Sequence, residues 1–282
     1  MRRLSNRGIH VGYVNAALMA LTLGRDDQSF LDAGWIAALL RHAPSRSRRR
    51  LALSILSLSP HYFYREPADA DLSHADFTER EFERNRTTRE RLGRLLLEPY
   101  LRRHHVVIDY GCGPGFLARY VAGGTRTVHG VDISRGVLEC ARIINSAPNI
   151  TFVHCNDMAS IGDSTVDLAY SVAVAQHLTD SALARAFDAL ARKLKPGGRL
   201  LLHAVLDAEG WRTEEEWRGD VSLAGRLKLK YGLNCFTRSE ARVRDMLQTA
   251  GFGSIVVNPI HTLCPEPFDD VCTQHLVCGT RV

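Results

Sequence analysis

The sequence predicts an α/β protein: a doubly wound, mostly parallel sheet of seven strands behind an N-terminal helical extension. Three observations predict it. From residue 106 onward, short β-branched runs alternate with amphipathic stretches, the pattern of βαβ units covered on both faces. The first run, Val106–Asp109, opens into a loop with glycine at 111, 113 and 115, and a helix pattern follows. Before residue 106 the apolar spacing is helical.

In the extension, Val11–Leu23 and Phe30–Leu40 carry apolar residues at mixed spacings of 3 and 4, which predicts two helices. The arginine-rich stretch 41–50 breaks that pattern and reads as a solvated linker, with phosphate docking as the alternative. Leu51–Leu58 is apolar and stops at Pro60. Asp76–Arg103 reads as one long charged helix with Phe82, Leu92, Leu95, Leu96 and Tyr100 inward. Strands are expected at Val106–Asp109, Thr127–Val131, Ile150–His154, Val166–Val172, Arg199–Val205, Ser254–Ile260 and Thr273–Cys278. The last two are expected to pair antiparallel. Ser134 and Thr179 or Asp180 stand where helix caps belong, and Thr237-Arg238-Ser239-Glu240 has capping-box spacing. The division is therefore 1–75, an extension that caps the acceptor site or dimerises, and 76–282, an α/β domain with a lid-like insertion at about 207–236.

Composition narrows the class. In 282 residues, 45% are apolar, enough for a sizeable core. No apolar run reaches the length of a membrane span. The net charge of +5 is uneven: residues 1–105 hold 18 Arg against 12 acids, and the rest is nearly neutral. Seven cysteines in scattered positions without a C-x-x-C suggest reduced thiols and a cytoplasmic protein.

The glycine loop carries the strongest chemical signal. Glycine lacks Cβ, so the backbone can bend sharply and approach a ligand. Asp132, 21 residues after Gly111, ends the second strand, where a carboxylate can take both hydroxyls of a ribose. The spacing is G-x-G-x-G rather than the dinucleotide G-x-G-x-x-G, and Asp109 precedes it. An acid at that point repels a pyrophosphate and favours a cationic ligand or an amino group. No Gly-Lys-Ser/Thr occurs, which excludes a P-loop.

Ile108-Asp109-Tyr110-Gly111-Cys112-Gly113-Pro114-Gly115 resembles the first motif of class I S-adenosylmethionine-dependent methyltransferases. Val131-Asp132-Ile133-Ser134 is similar to their ribose segment and Cys155-Asn156-Asp157-Met158 to their adenine segment. Leu194-Lys195-Pro196-Gly197-Gly198 and Ala250-Gly251-Phe252 resemble the turns before their fifth and sixth strands. The resemblance covers about residues 100–282 and implies a Rossmann-like methyltransferase fold with S-adenosylmethionine as cofactor. It implies that the backbone of Gly111, Cys112, Gly113 and Gly115 meets the methionyl part, with Asp109 on its amino group. Asp132 and Ile133 would hold the ribose, Asp157 and Met158 the adenine, and Ser171 and Gln176 the pocket beside them. Arg86 would pair with the methionyl carboxylate. Cys112 is a packed small side chain rather than a reactive thiol.

Methyl transfer from a sulfonium needs alignment above all, and a base if the acceptor is a hydroxyl. His177 is the candidate base; the alternative is that Gln176 and His177 shape the cofactor pocket. His203 is a second candidate, with a satisfied core histidine as its alternative. The motifs of adenine-N6 and 5-methylcytosine chemistry are absent. Glu214-Glu215-Glu216 reads as a solvated helix face, and Cys264, Cys272, Cys278, His261 and His275 fit no common zinc spacing, so no metal is expected. The expected activity is O-methylation of a small-molecule acceptor. N- or C-methylation, an RNA- or protein-directed enzyme using the basic extension, and a silent cofactor-binding module are the rivals. A homodimer fits the extension; nucleic acid is the less favoured partner.

Overall fold

A computed structural model describes residues 34–58, 62–223, 225–226, 235–263 and 274–282. The helix expected at Val11–Leu23, most of the far end of the 207–236 insertion with Tyr231, and Cys264 and Cys272 lie outside the described residues. Seven strands are present: β1 Val106–Tyr110, β2 Thr127–Asp132, β3 Ile150–His154, β4 Val166–Ser171, β5 Leu194–Val205, β6 Phe252–Pro259 and β7 Gln274–Arg281. Their order in the sheet is β3-β2-β1-β4-β5-β7-β6. β2 is parallel to β1 and β3, and β5 is parallel to β4. β7 is antiparallel to both β5 and β6, the one hairpin arrangement the sequence anticipated.

The chain divides into two compact units. The first, Leu31–Ala159, holds β1–β3 and the helices α1 Gly34–His42, α2 Ser45–Leu56, α3 His74–Leu96, α4 Phe116–Ala122 and α5 Arg135–Ile144. Val107 and Ile108 of β1 are fully buried, as a strand covered on both faces requires. Each such side chain contributes about 1.5–3 kcal/mol by leaving water. α1 and α2 pack on α5: Arg41 pairs with Glu139, and the Cys140 thiol donates to the Ala52 carbonyl. Ser134 caps α5 by accepting from Val137 N, as expected.

Two local readings change. Residues 45–50 are helical rather than a linker, because their arginines find partners near and far in the chain. Arg48 donates to the Ala43 carbonyl, and Arg49 pairs with Glu79 while stacking 4.8 Å over the Phe82 ring. α3 stops at Leu96 instead of reaching 103, since Pro99 follows and cannot continue an α-helix; a 3₁₀ turn at Glu98–Tyr100 replaces the last turns.

The second unit includes Ser160–Val282, with β4–β7 and helices α6 Asp180–Lys193, α7 Glu214–Gly219, α8 Glu240–Thr249 and α9 Ile260–Leu263. β5 starts five residues earlier than expected. Lys195–Gly198 is a bulge inside the strand: the register moves from Val166↔Leu194 to Leu168↔Arg199, with Gly197 at φ +79°. The cap of α8 is Ser239, which accepts from Arg242 N at 3.2 Å; the Thr237 hydroxyl instead takes Ala208 N at 2.9 Å. Glu214 and Glu216 are used as caps, Glu214 on Asp180 N and Glu216 on Thr213 N. No helix among the described residues is long and apolar enough to cross a membrane.

Candidate functional site

In the first unit, β1 delivers Asp109, 2% exposed, to the edge of the glycine loop. Gly111, Gly113 and Gly115 have φ of +78°, +51° and +80°, values that L side chains rarely adopt. Every amide of the bend already has an acceptor. Gly111 N and Cys112 N donate to Val131 O at 2.7 and 3.0 Å, and Gly115 N donates to Cys112 O at 3.0 Å. Gly113 N donates to Asp132 Oδ2 at 2.9 Å, while Ser134 N donates to Oδ1 at 2.9 Å. Asp132 therefore ties the end of β2 to the middle of the loop.

This arrangement tests which nucleotide fits. A pyrophosphate needs a nest of unused amides and positive potential. Here the four amides are engaged, and two carboxylates border the loop, so a pyrophosphate does not fit. A ligand with hydroxyls and an amino group does. A carboxylate has about four lone-pair sites, more than the backbone amides use, so Asp132 keeps capacity for a hydroxyl. Burial pushes the Asp132 carboxyl up, and the amides of Ser134, Gly113 and Ile133 pull it back down.

Ile133, Asp157 and Met158, expected to meet the ribose and adenine, lie in the same unit. Ile133 is an exposed apolar side chain directly after Asp132. Asp157 is exposed on the 3₁₀ turn Cys155–Ser160, 3.5 Å from Arg135, and Met158 of the same turn is buried. His154 shapes that turn by accepting from Asn156 N through Nδ1 at 3.2 Å. Cys112 is buried with its thiol 3.6 Å from Gly113 O; burial first, then the Asp132 and Asp109 charges, push it well above the usual thiol range. It is a packed side chain, as expected.

Arg86 differs from expectation. Its guanidinium lies on the exposed face of α3 between Glu83 and Glu90, at 2.7 and 2.8 Å. Arg89, one turn on, is the α3 arginine that feels Asp109: burial lowers its pKa and the Asp109 charge raises it. The helical pattern held the signal, since Arg89 is seven residues from both Phe82 and Leu96, two buried positions of α3. Tyr62 was also missed. A Cβ on Gly113 would meet its ring at 3.3 Å, so Tyr62 borders the loop. Asn85 Nδ2 holds the Tyr62 carbonyl at 3.0 Å and Glu81 holds Tyr64 N at 3.0 Å, which fastens this segment to α3.

In the second unit, Ser171 ends β4 and is buried. The 3₁₀ turn Ala175–His177 follows. Gln176 is 8% exposed, its carbonyl accepts from Phe236 N at 2.7 Å, and its Oε1 has no hydrogen-bond partner among the described residues. A buried acceptor left so costs about 1–3 kcal/mol, which a donor from a ligand would recover. His177 is exposed, with Nδ1 at 3.7 Å from Cys235 Sγ. His203 is buried; its Nδ1 accepts from Ala173 N at 3.2 Å and its Nε2 faces Gln274 Oε1 at 2.9 Å. Because Nδ1 accepts, Nε2 carries the proton and donates, which makes His203 a brace between β5, β7 and the turn after β4.

Comparison with known proteins agrees with this geometry. Residues 107–198 match the methyltransferase-domain family. Ribosomal protein L11 methyltransferase of Burkholderia lata is 34% identical over 145 residues, 46% of this chain and 45% of that protein. N-demethylindolmycin N-methyltransferase of Streptomyces griseus is 38% identical over 78 residues, 27% and 33%. Ubiquinone biosynthesis O-methyltransferase of Thiobacillus denitrificans is 35% identical over 96 residues, 33% and 40%. The chain thus spans less than half the length of these relatives. Among solved structures, a chain of the Haloferax volcanii Trm112 methyltransferase activator complex superposes with a TM-score of 0.51 at 19% identity, over 70% of this chain and 93% of that one; it shares the fold. Residues 107–198 thus carry a methyltransferase domain, and the seven-stranded sheet has the Rossmann-like fold of class I, S-adenosylmethionine-dependent methyltransferases.

Proposed function

We propose that the chain transfers the methyl group of S-adenosylmethionine to a hydroxyl of a small-molecule acceptor. The observation that carries the cofactor half is the acid-pinned loop, in which Asp132 accepts from Gly113 N and Ser134 N beside the buried Asp109. Asp132 and Ile133 would hold the ribose, Asp109 the amino group, Arg89 the carboxylate, and Asp157 and Met158 the adenine. The bound cofactor supplies a methyl already activated by its sulfonium, so the chain's task is to align the acceptor and receive a proton. Ser171 and Gln176 would line the cofactor pocket, and His177 is the acceptor-side residue that takes the hydroxyl proton.

A phosphate-bearing acceptor is the weaker reading, because Arg48 and Arg49 of the basic run are already engaged by Ala43 O and Glu79. N-methylation keeps a claim through the Streptomyces relative.

Two measurements test the proposal. Asp132→Ala is expected to weaken S-adenosylmethionine binding by about 1–3 kcal/mol, by removing charge-assisted hydrogen bonds. Titration calorimetry giving an unchanged affinity would remove the site. Incubation with methyl-labelled cofactor and a cell extract is expected to place the label in the small-molecule fraction as an O-methyl group. Label confined to protein or RNA would overturn the acceptor class.

A further inference from the structure

His177 is held in place by a stretch of chain that the reading above does not use. Cys235 Sγ lies 3.7 Å from His177 Nδ1, and the backbone around both residues is clamped. Phe236 N donates to Gln176 O at 2.7 Å, next in sequence on either side. Arg238, buried to 7% exposure, donates Nη1 to Ala175 O at 2.9 Å and Nη2 to Leu178 O, so it grips both ends of the turn. Arg238 Nε also meets Asp180 Oδ1 at 2.7 Å. From the other side, Thr237 N donates to Arg212 O at 3.1 Å and Asp207 N to Arg238 O at 3.0 Å. The thiol and the imidazole face each other because four ties fix their two segments in register and two more fasten residues 237 and 238 to the 207–212 stretch.

We propose that Cys235 is a positioning residue for His177: its thiol engages Nδ1, so that any proton exchanged with an acceptor passes through Nε2. The inference rests on the reading of His177 as an acceptor-side residue. Its chemistry follows from what a thiol can do. Burial pushes the Cys235 thiol up to about 11, so at neutral pH the sulfur is an uncharged S–H. A thiol is both a weak donor and a weak acceptor. It can donate to a bare Nδ1, and it can accept from Nδ1–H when Nε2 is bare or has just taken a proton. A carboxylate in that place could only accept, and would add a charge favouring the imidazolium. Among the described residues, the charged groups around the turn are Arg238 and Arg242, Asp180 of α6 and Glu214 of α7. Asp180 is shared between the two arginines, at 2.7 and 3.0 Å, and Glu214 caps α6 and pairs with Arg218. These carboxylates have cationic or amide partners of their own, and the neutral thiol lies 3.7 Å from Nδ1.

The test needs no acceptor. Nitrogen-15 NMR of the full chain reads the tautomer and titration of the His177 ring. Cys235→Ala is expected to lose the hydrogen-bonded Nδ1 signature and shift the titration curve, and Cys235→Ser to restore both. Alkylation of Cys235 by iodoacetamide, followed against pH, is expected to show an inflection at the His177 titration that His177→Gln abolishes. Ring signals unchanged in Cys235→Ala, or an alkylation profile indifferent to His177→Gln, would overturn the proposal. Calorimetry with S-adenosylmethionine on the same samples separates the two claims. Lost binding with the pair still coupled overturns the functional reading alone, and retained binding with the pair uncoupled overturns this one alone.

Discussion

Gly115→Ala is expected to lower the stability of the chain by roughly 2–5 kcal/mol and to remove cofactor binding. Two costs add. Gly115 sits at φ +80°, and holding an L residue in the left-handed region costs about 1–2 kcal/mol. The new methyl would also lie 2.7 Å from Phe152 Cζ and 3.3 Å from Ala141 Cβ, and overpacking of this kind costs about 1–3 kcal/mol. Phe152 has little room to retreat, because Gly130 leaves the other side of its ring equally close: a Cβ there would lie 2.7 Å from Cδ1. Relief must therefore come from the loop, whose shift would pull Gly113 N from Asp132. Urea denaturation with calorimetry checks both effects. Native stability with native affinity would mean that the loop tolerates a side chain, and that the three-glycine spacing is not a steric requirement.

Arg238→Met is the second large effect, a loss of about 2–3 kcal/mol. Removing one partner of a fully buried ion pair typically costs about 3–5 kcal/mol. The figure is smaller here because Asp180 is one-third exposed and keeps Arg242. The carbonyls of Ala175 and Leu178 lose their donor as well. The effect depends on pH in a definite direction. Burial alone would raise the Asp180 carboxyl, but the hydrogen bonds and charges of Arg238 and Arg242 outweigh it and hold the group below its ordinary value. A depressed carboxylate stabilises the fold above its unfolded pKa of about 3.9, and that contribution fades as pH falls through the lower folded value. The gap between wild type and Arg238→Met should thus be full at pH 7 and narrow below about pH 3.9. A gap independent of pH would show that Arg238 acts through the carbonyls alone.

Much of the architecture was legible in the sequence because local chemistry and tertiary structure agree in the α/β region. β3 ends where the apolar run ends, and Ser134 and Thr179 cap the helices they precede. The glycine loop and the acid that pins it were legible for the same reason: positive-φ glycines and a strand-terminal acid are backbone requirements, and backbone requirements leave a sequence trace. Long-range pairing leaves none. Nothing in the run 45–50 announces Glu79 and Phe82 as partners, so its helix read as a linker. Arg86 and Arg89 differ only in which flank of α3 they occupy, and two nearby glutamates draw Arg86 to the surface. Cys235 and Arg238 stand nearly sixty residues from the turn they hold, and no spacing rule spans that distance.

The bend at residues 111–115 has a thermodynamic consequence. Its amides are already committed to Val131, Cys112 and Asp132, so the ordering entropy was settled when the polypeptide folded. An adenosyl ligand arriving there meets a stiff receptor and loses little affinity to rearrangement. In deuterium solvent these NH groups should exchange slowly before ligand is added, and saturation should slow them scarcely further.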